Sequence, residues 1–353
     1  MPRLLVAIWL AFVWGLLAPM NGVAAPSIAG VGTSAPKLPR LVLAGPYAAV
    51  SFPLIHMVDS GALNDVAETV EFLPWKDPDQ LRVLAMDGRA DFVAMPTNVA
   101  ANLYNRGVRL QLLNVSTWGV LWMVSRDASL KTLADFKGKE IAMPFRADMP
   151  DIVFQQLAQK QGLDPKRDFK LRYVGSPIEA MQLLITRRVD HALLAEPAIS
   201  MALRKTQSFP VSVIAPQLHR SVDLQQEWGR VMQRTPRIPQ AGIAALGAAA
   251  GNGALVERFQ KAYASSLAWC ESHAPECAAL VAKRVDLLTP EAVTDSIRVD
   301  NSQFVRAGDA RGELEFFFAQ LLALQPGLVG GKLPDAAFYR PAEGAATVTG
   351  AKR

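Results

Sequence analysis

Eleven residues combine the side-chain types and the positions needed to hold a small molecule: Tyr47, Trp75, Thr97, Asn98, Thr117, Trp118, Phe145, Arg146, Asp148, Ser176 and Glu196. Each follows, or closes, a short apolar segment that reads as a strand. In open α/β sheets ligands gather beyond the carboxyl ends of such strands. The four aromatics suit stacking on a flat body, and Arg146 offers a charge-assisted hydrogen bond to an oxyanion. Thr97 and Ser176 stand at helix starts, where unpaired N–H groups receive anions without a basic side chain. Other readings stay open at each position. Thr97 and Ser176 are also good helix caps, Tyr47, Trp75 and Trp118 also suit a core or rim, and Arg146 could pair with Asp148 on the surface. Glu196 would repel an anion, so it pairs with a cation, faces away, or marks a ligand carrying positive charge or N–H donors.

Bond-making chemistry finds no support. There is no G-x-S-x-G elbow, no H-E-x-x-H and no G-x-x-x-x-G-K-[ST]. The glycine-rich stretch 247–253 (GAAAGNG) lacks G-x-G-x-x-G spacing and reads as a turn between strand and helix. The four histidines are scattered, and His191 lies inside a strand-like run where a structural role fits. Neither a cofactor nor a metal is expected, because two cysteines without a spaced histidine pair make no zinc site. Cys270 and Cys277 lie seven residues apart. On one straight helix that spacing rises about 10.5 Å, too far for a bridge. Pro275 permits a turn that would bring them together as a disulfide, and two buried free thiols are the alternative.

The chain opens with Arg3, an apolar run over 4–18 and the small residues Gly22-Val23-Ala24, the order of a cleavable secretion signal. Residues 1–24 are therefore expected to be removed, with the mature chain in the periplasm. An uncleaved amphipathic anchor fits less well, since the run is apolar all round. Removing Arg3 lowers the formal charge from +5 to +4. Basic and acidic residues are interleaved, which argues for solubility and against nucleic acid as a partner.

About 330 mature residues exceed what one core usually serves. Strands expected over 41–44, 70–73, 91–95 and 110–115 alternate with helices over 51–61, 77–86 and 97–105. A second series places strands over 139–143, 169–174 and 189–194, with helices over 150–161, 178–187 and 198–205. Residues 209–214 then lead back, and from 242 a helical region follows, with helices over 255–271, 276–283, 290–295 and 313–324. This order predicts an α/β protein of two lobes, each a mainly parallel sheet flanked by helices. The lobe boundaries are 40–120 for the first part of lobe 1, 121–215 for lobe 2 and 216–340 for the return to lobe 1. Crossings are expected near 116–121 and 213–223, with flexible ends over 25–39 and 341–353.

The run Gly162-Leu163-Asp164, Val174-Gly175-Ser176-Pro177, Glu179-Ala180-Met181, Arg188-Val189-Asp190-His191-Ala192 and Ala195-Glu196-Pro197 resembles the periplasmic solute-binding proteins of ABC importers for nitrate, sulfonates, taurine and thiamine precursors. The segments LADFKGK (133–139) and KLPDAAFY (332–339) extend the likeness over most of the mature chain. The resemblance implies the type II periplasmic-binding fold, with a ligand in the interlobe cleft and two hinge crossings. It also implies a monomer that serves an inner-membrane ABC permease with its cytoplasmic ATPase. The favoured ligand is a sulfonate- or nitrate-like anion, and the alternative is an aromatic nitrogen heterocycle such as a thiamine pyrimidine precursor. A ligand-sensing periplasmic receptor would use the same cleft. A fungal relative of this fold makes thiamine pyrimidine as an enzyme, but its cysteine-rich motif has no counterpart here. Mass spectrometry of protein recovered from a bacterial periplasm should find the N-terminus at Ala25, within a residue; full-length chain in the cytoplasm would refute export.

Overall fold

The computed structural model describes residues 36–214, 217–299 and 302–341. The expected secretion signal (1–24), most of the N-terminal segment and the tail from 342 lie outside the described residues. The body that begins at Lys37 is one unit containing two sheets.

The first sheet starts with β1 (Leu38–Gly45), two residues inside the segment expected to be flexible, followed by a 3₁₀ turn over Ala49–Ser51 and α1 (Phe52–Asp59). Then come β2 (Ala67–Pro74), α2 (Pro78–Met86), β3 (Phe92–Pro96), α3 (Thr97–Asn105) and β4 (Leu110–Trp118). The local chemistry is simple. Asp77 accepts hydrogen bonds from the Asp79 and Gln80 amides at 3.0 and 2.9 Å, and Pro78 occupies the first turn of α2, so that helix has a capped, preset start.

The chain crosses at Gly119-Val120 into the second sheet. Its elements are β5 (Leu121–Ser125), β6 (Glu140–Pro144), α4 (Met149–Lys160), β7 (Lys170–Val174), α5 (Pro177–Ile185) and β8 (His191–Ala195). They continue with α6 (Ala198–Gln207), α7 (Val211–Ile214), β9 (His219–Asp223) and α8 (Leu224–Met232). The return brings β10 (Pro239–Leu246), α9 (Gly247–Gly251), α10 (Gly253–Ser272), α11 (Ala274–Ala282), α12 (Pro290–Val299), β11 (Val305–Arg306) and α13 (Arg311–Leu324).

The strand orders are β11-β4-β10-β3-β1-β2 and β7-β6-β8-β5-β9. Two lobes of α/β structure are present, but each sheet is mixed. β10 runs antiparallel to both β3 and β4, and β5 runs antiparallel to both β8 and β9. Both strands arrive by a crossing between lobes and not through a helix of their own sheet, so the constraint that makes βαβ units parallel does not act on them. The second crossing also differs from expectation. Residues 219–223 form β9 in the second sheet, and the chain returns only over 233–238. Residues 209–214, expected to lead back, instead include the short helix α7.

One buried cluster joins the lobes through the C-terminal helices. Phe52 and Ile55 of α1, Val124 of β5, Ile199 of α6 and Val281 and Val293 of the α11–α12 hairpin all belong to it. An Arg204–Asp295 ion pair ties α6 to α12. A disulfide joins Cys270 to Cys277 with the Cα atoms 5.1 Å apart; α10 ends at Ser272, and Pro275 stands in the first turn of α11. Closing so short a loop constrains the unfolded chain modestly. The Cys270→Ser/Cys277→Ser variant should lose about 2 kcal/mol in urea denaturation yet keep the fold; an unchanged midpoint would contradict this.

Candidate functional site

The loops beyond the carboxyl ends of β1, β2, β6, β7 and β8 converge on a cavity of 530 Å³ between the two sheets. Seven of the eleven expected residues line it: Tyr47, Trp75 and Thr117 from the first lobe, and Phe145, Asp148, Ser176 and Glu196 from the second. The wall between them is mainly apolar, with Val50, Leu81, Met95, Leu121, Met149 and Ile178 contributing. Trp75 is fixed by its indole N–H, which donates to the Ala94 carbonyl at 3.1 Å, leaving the ring to face the cavity.

The other four expected residues stand outside the wall. Thr97 is fully buried and donates its hydroxyl to the Pro239 carbonyl at 2.5 Å. Asn98, beside it in the first turn of α3, is buried as well. Trp118 closes β4 at the first crossing, its indole N–H on the Gln303 carbonyl at 2.9 Å and the Arg237 guanidinium 3.9 Å from its ring centroid. Arg146 is exposed and covers the Tyr173 ring at 5.2 Å. The reason is the backbone: Phe145 and Ala147 both adopt φ 59°, and this left-handed turn directs Phe145 inward and Arg146 outward. Its suggested pairing with Asp148 is likewise absent, because Asp148 binds Arg82.

Two carboxylates in the wall are each held by an arginine that sequence order does not reveal. Glu196 is 5% exposed and pairs with Arg220 of β9, its second oxygen accepting the Ser200 amide at 3.1 Å. Of the alternatives open for Glu196, the pairing with a cation is the one present. Asp148 accepts from Arg82 of α2 at 3.1 Å, a contact that spans the lobes, and from the Met149 amide at 2.8 Å. Burial pushes the Asp148 carboxyl above its ordinary range despite these partners.

Further lining residues escaped the sequence reading. Gln240 of β10 sits in a segment read as the approach to a helical region. The turn 284–287 between α11 and α12 brings Arg284, Val285, Asp286 and Leu287 to the cavity from the C-terminal helical region, and no local pattern marks it. His191 keeps a structural place, with Nδ1 2.9 Å from the Ser125 hydroxyl and its ring edge-on to Phe136. Among the described residues no group of His, Cys, Asp and Glu converges as metal ligands, and no helix is long and apolar enough to cross a membrane.

Comparisons with solved structures agree with this architecture. An ABC transporter protein from Parabacteroides distasonis superposes with a TM-score of 0.67 at 21% identity, covering 86% of this chain and 99% of that one. The periplasmic aliphatic sulphonate binding protein SsuA from Escherichia coli gives 0.63 at 17% identity, over 85% and 96%. The periplasmic nitrate-binding protein NrtA from Synechocystis gives 0.64 at 14% identity, over 82% and 83%. No curated protein sequence matches the chain. Residues 64–265 match the family described as ABC transporter, phosphonate, periplasmic substrate-binding protein. That match spans more than half of the sequence, and the chain accordingly belongs to this family of transport components, which bind solutes and are not enzymes.

Proposed function

We propose that this substrate-binding protein captures a small organic solute with a flat, apolar body in its interlobe cavity and delivers it to an inner-membrane ABC permease driven by a cytoplasmic ATPase. The observation that carries this reading is the composition of the wall. Tyr47, Trp75 and Phe145 approach from three strand ends, aliphatic side chains fill the gaps, and both interior carboxylates already have arginine partners. A bare inorganic anion such as nitrate would leave most of that surface uncovered. Arg146 lies on the outer surface, and the basic side chains that do line the cavity, Lys76 and Arg284, are exposed ones. Sulfonates with an organic body and aromatic nitrogen heterocycles both remain within the class.

Delivery requires the lobes to open and close about the crossings at 119–120 and 233–238. A solute touching both lobes favours the closed form by its differential affinity. Thermal-shift screening against organic sulfonates, pyrimidines and nitrate should find its hits among the organic solutes. A ligand at a hundred times its Kd adds about 2.7 kcal/mol. Small-angle scattering with such a hit should report a smaller radius of gyration; a hit for nitrate alone would refute the proposed class.

Asp148 gives this cleft a pH dependence. Its raised carboxyl takes up a proton at a higher pH in the folded protein than in the unfolded chain, where the ordinary value is 3.8. The stability gained by protonation is therefore complete below that value and is lost as pH rises through the raised one. Asp148→Asn removes the buried charge. In urea denaturation its stability relative to wild type should rise as pH is raised above about 4; a pH-independent difference would show that Asp148 titrates normally.

A further inference from the structure

The lobes are joined at a third place besides the two crossings. α11 and α12 form a hairpin that reaches from one lobe to the other: α11 packs on α1 and α10 of the first lobe, and α12 packs on α6 of the second. The turn between them, 284–287, is a wall of the cavity, together with Ala49 and Val50 of the first lobe and Pro197 and Ala198 of the second. A hairpin placed like this cannot keep both contacts when the lobes swing apart about 119–120 and 233–238. The two contacts are built differently. On the first lobe, α10 runs into α11 through His273, and the Cys270–Cys277 disulfide fastens the junction. α10 is in turn bound to α1: His56 Nδ1 lies 2.9 Å from the Ser266 hydroxyl, and the His56 ring stacks on Trp269 with the centroids 4.0 Å apart. Phe52 and Ile55 of α1 are buried in one cluster with Cys277 and Val281 of α11. These three helices form one block.

The contact with the second lobe is of another kind. α6 and α12 bring Ala198, Ile199, Ala202, Ala292 and Val293 to the shared cluster, and the buried hydroxyls on these two helices bond within their own lobes. On α6, Thr206 donates to the Ala202 carbonyl at 3.0 Å, and Ser200 accepts from Arg220 at 3.3 Å. On α12, Thr294 donates to the Pro290 carbonyl at 2.7 Å, and Ser296 donates to the Val293 carbonyl at 2.9 Å. An interface is costly to open when opening strips buried polar groups of their partners. Parting α12 from α6 orphans none of these hydroxyls. The polar link across the seam is the Arg204–Asp295 pair, with Nη2 2.9 Å from Oδ1. Its side chains are 45% and 34% exposed, so water replaces each partner when the pair separates.

We propose that the α11–α12 hairpin is a strap that stays with the first lobe and clips reversibly onto α6, so that the lobes open by parting α12 from α6 while the disulfide holds the base of the strap in place. This rests on the interlobe cavity being the solute site. When shut, the strap lines the cavity with Val285 and Leu287. When open, it withdraws them with the first lobe and uncovers the wall made by Glu196, Pro197 and Ala198. The strength of the clip therefore sets the balance between the open and closed forms of the unloaded protein.

The test measures distances between pairs of nitroxides, attached to introduced cysteines in the mature chain, by pulsed electron paramagnetic resonance. Glu68 of β2, Lys160 of α4 and Arg298 of α12 are exposed sites on the first lobe, the second lobe and the strap. Asp295→Arg sets two guanidinium groups against each other across the seam. Glu291, one turn earlier, can pair with the new one, so α12 keeps its own stability. In this variant the 298–160 and 68–160 distances should both gain a component longer by about 5 Å or more, which takes α12 beyond the roughly 8–10 Å at which helices pack. The 298–68 distance should keep its wild-type distribution, and adding Arg204→Asp should restore all three. Cys270→Ser/Cys277→Ser in the Asp295→Arg background should then broaden 298–68 as well; an unchanged distribution there would overturn the part given to the disulfide. A change in 298–68 in place of 298–160 would overturn the proposal by fixing the strap to the second lobe, and so would three unchanged distances in Asp295→Arg. Either of these results, with a thermal-shift hit among organic sulfonates or pyrimidines, leaves the cavity as the solute site; no hit in that screen would overturn that reading, whatever the distances show.

Discussion

The close approach of β10 to β4 at Gly242 sets the geometry on which the cleft depends. A Cβ at Gly242 would fall 1.9 Å from the Asn114 carbonyl oxygen, so any side chain there would force the two strands apart. With glycine, β10 packs between β3 and β4 in the middle of the first sheet, and Asn114 Oδ1 accepts the Ile243 amide at 3.3 Å. That register places Gln240 next to Thr117 and the ends of both strands next to one another, so the two crossings between lobes leave the sheet side by side. Gln225 then links them. Its side chain fills the space over Gly119, where a Cβ would meet Oε1 at 2.2 Å, and the same oxygen accepts the Ile238 amide at 3.3 Å. The first crossing turns at Gly119 with φ 63°, a conformation that glycine takes without strain.

The charges near the cleft obey a related constraint. A carboxylate taken out of water needs a partner of opposite charge or several donors. Asp148 and Glu196 each have both, an arginine and a backbone amide. The two arginines come from different places. Arg220 belongs to the same lobe as Glu196, so that pair moves as one piece. Arg82 belongs to the opposite lobe from Asp148, and its side chain is 41% exposed, so water screens the contact and its net contribution is modest. Separating the lobes would leave Asp148 without that guanidinium but would also return it toward solvent, where it needs none.

Much of this was legible in the sequence. Parallel βα units announce themselves through local signals: Asp77-Pro78 and Ser176-Pro177 mark helix starts, and Gly107 and Gly162 mark stops, so the alternation and the loops that line the cavity followed. What stayed hidden was set by distance along the chain. β10 is buried on both faces and reads as a continuous apolar run with small residues, which carries no alternation to separate it from a helix. Arg220 and Arg82 look like ordinary surface arginines until the fold brings them to Glu196 and Asp148. Arg146 misled because position after a strand says nothing about direction; two residues in the left-handed region turned it outward. The turn 284–287 reaches the cavity only because α11 folds back on α10, a reversal that Pro275 and the cysteine pair suggested without showing where it would lead.

The helix starts of the second lobe show how the same local rule can give opposite surfaces. A capped start and an anion-binding start use the same backbone amides, and what differs is whether the chain supplies the oxygen itself. Ser176, Glu179, Asp148 and Glu196 supply it here, stabilising α4, α5 and α6 and removing their attraction for a foreign anion. On the first lobe, Pro96 carries no side-chain oxygen to do so, and Thr97 spends its hydroxyl on the Pro239 carbonyl, where it helps hold β10 in place. Stability of the helices and availability of donors thus compete for the same groups, and the two lobes resolve that competition differently. The second lobe fills its helix starts from within, and the first leaves the start of α3 without a side-chain cap.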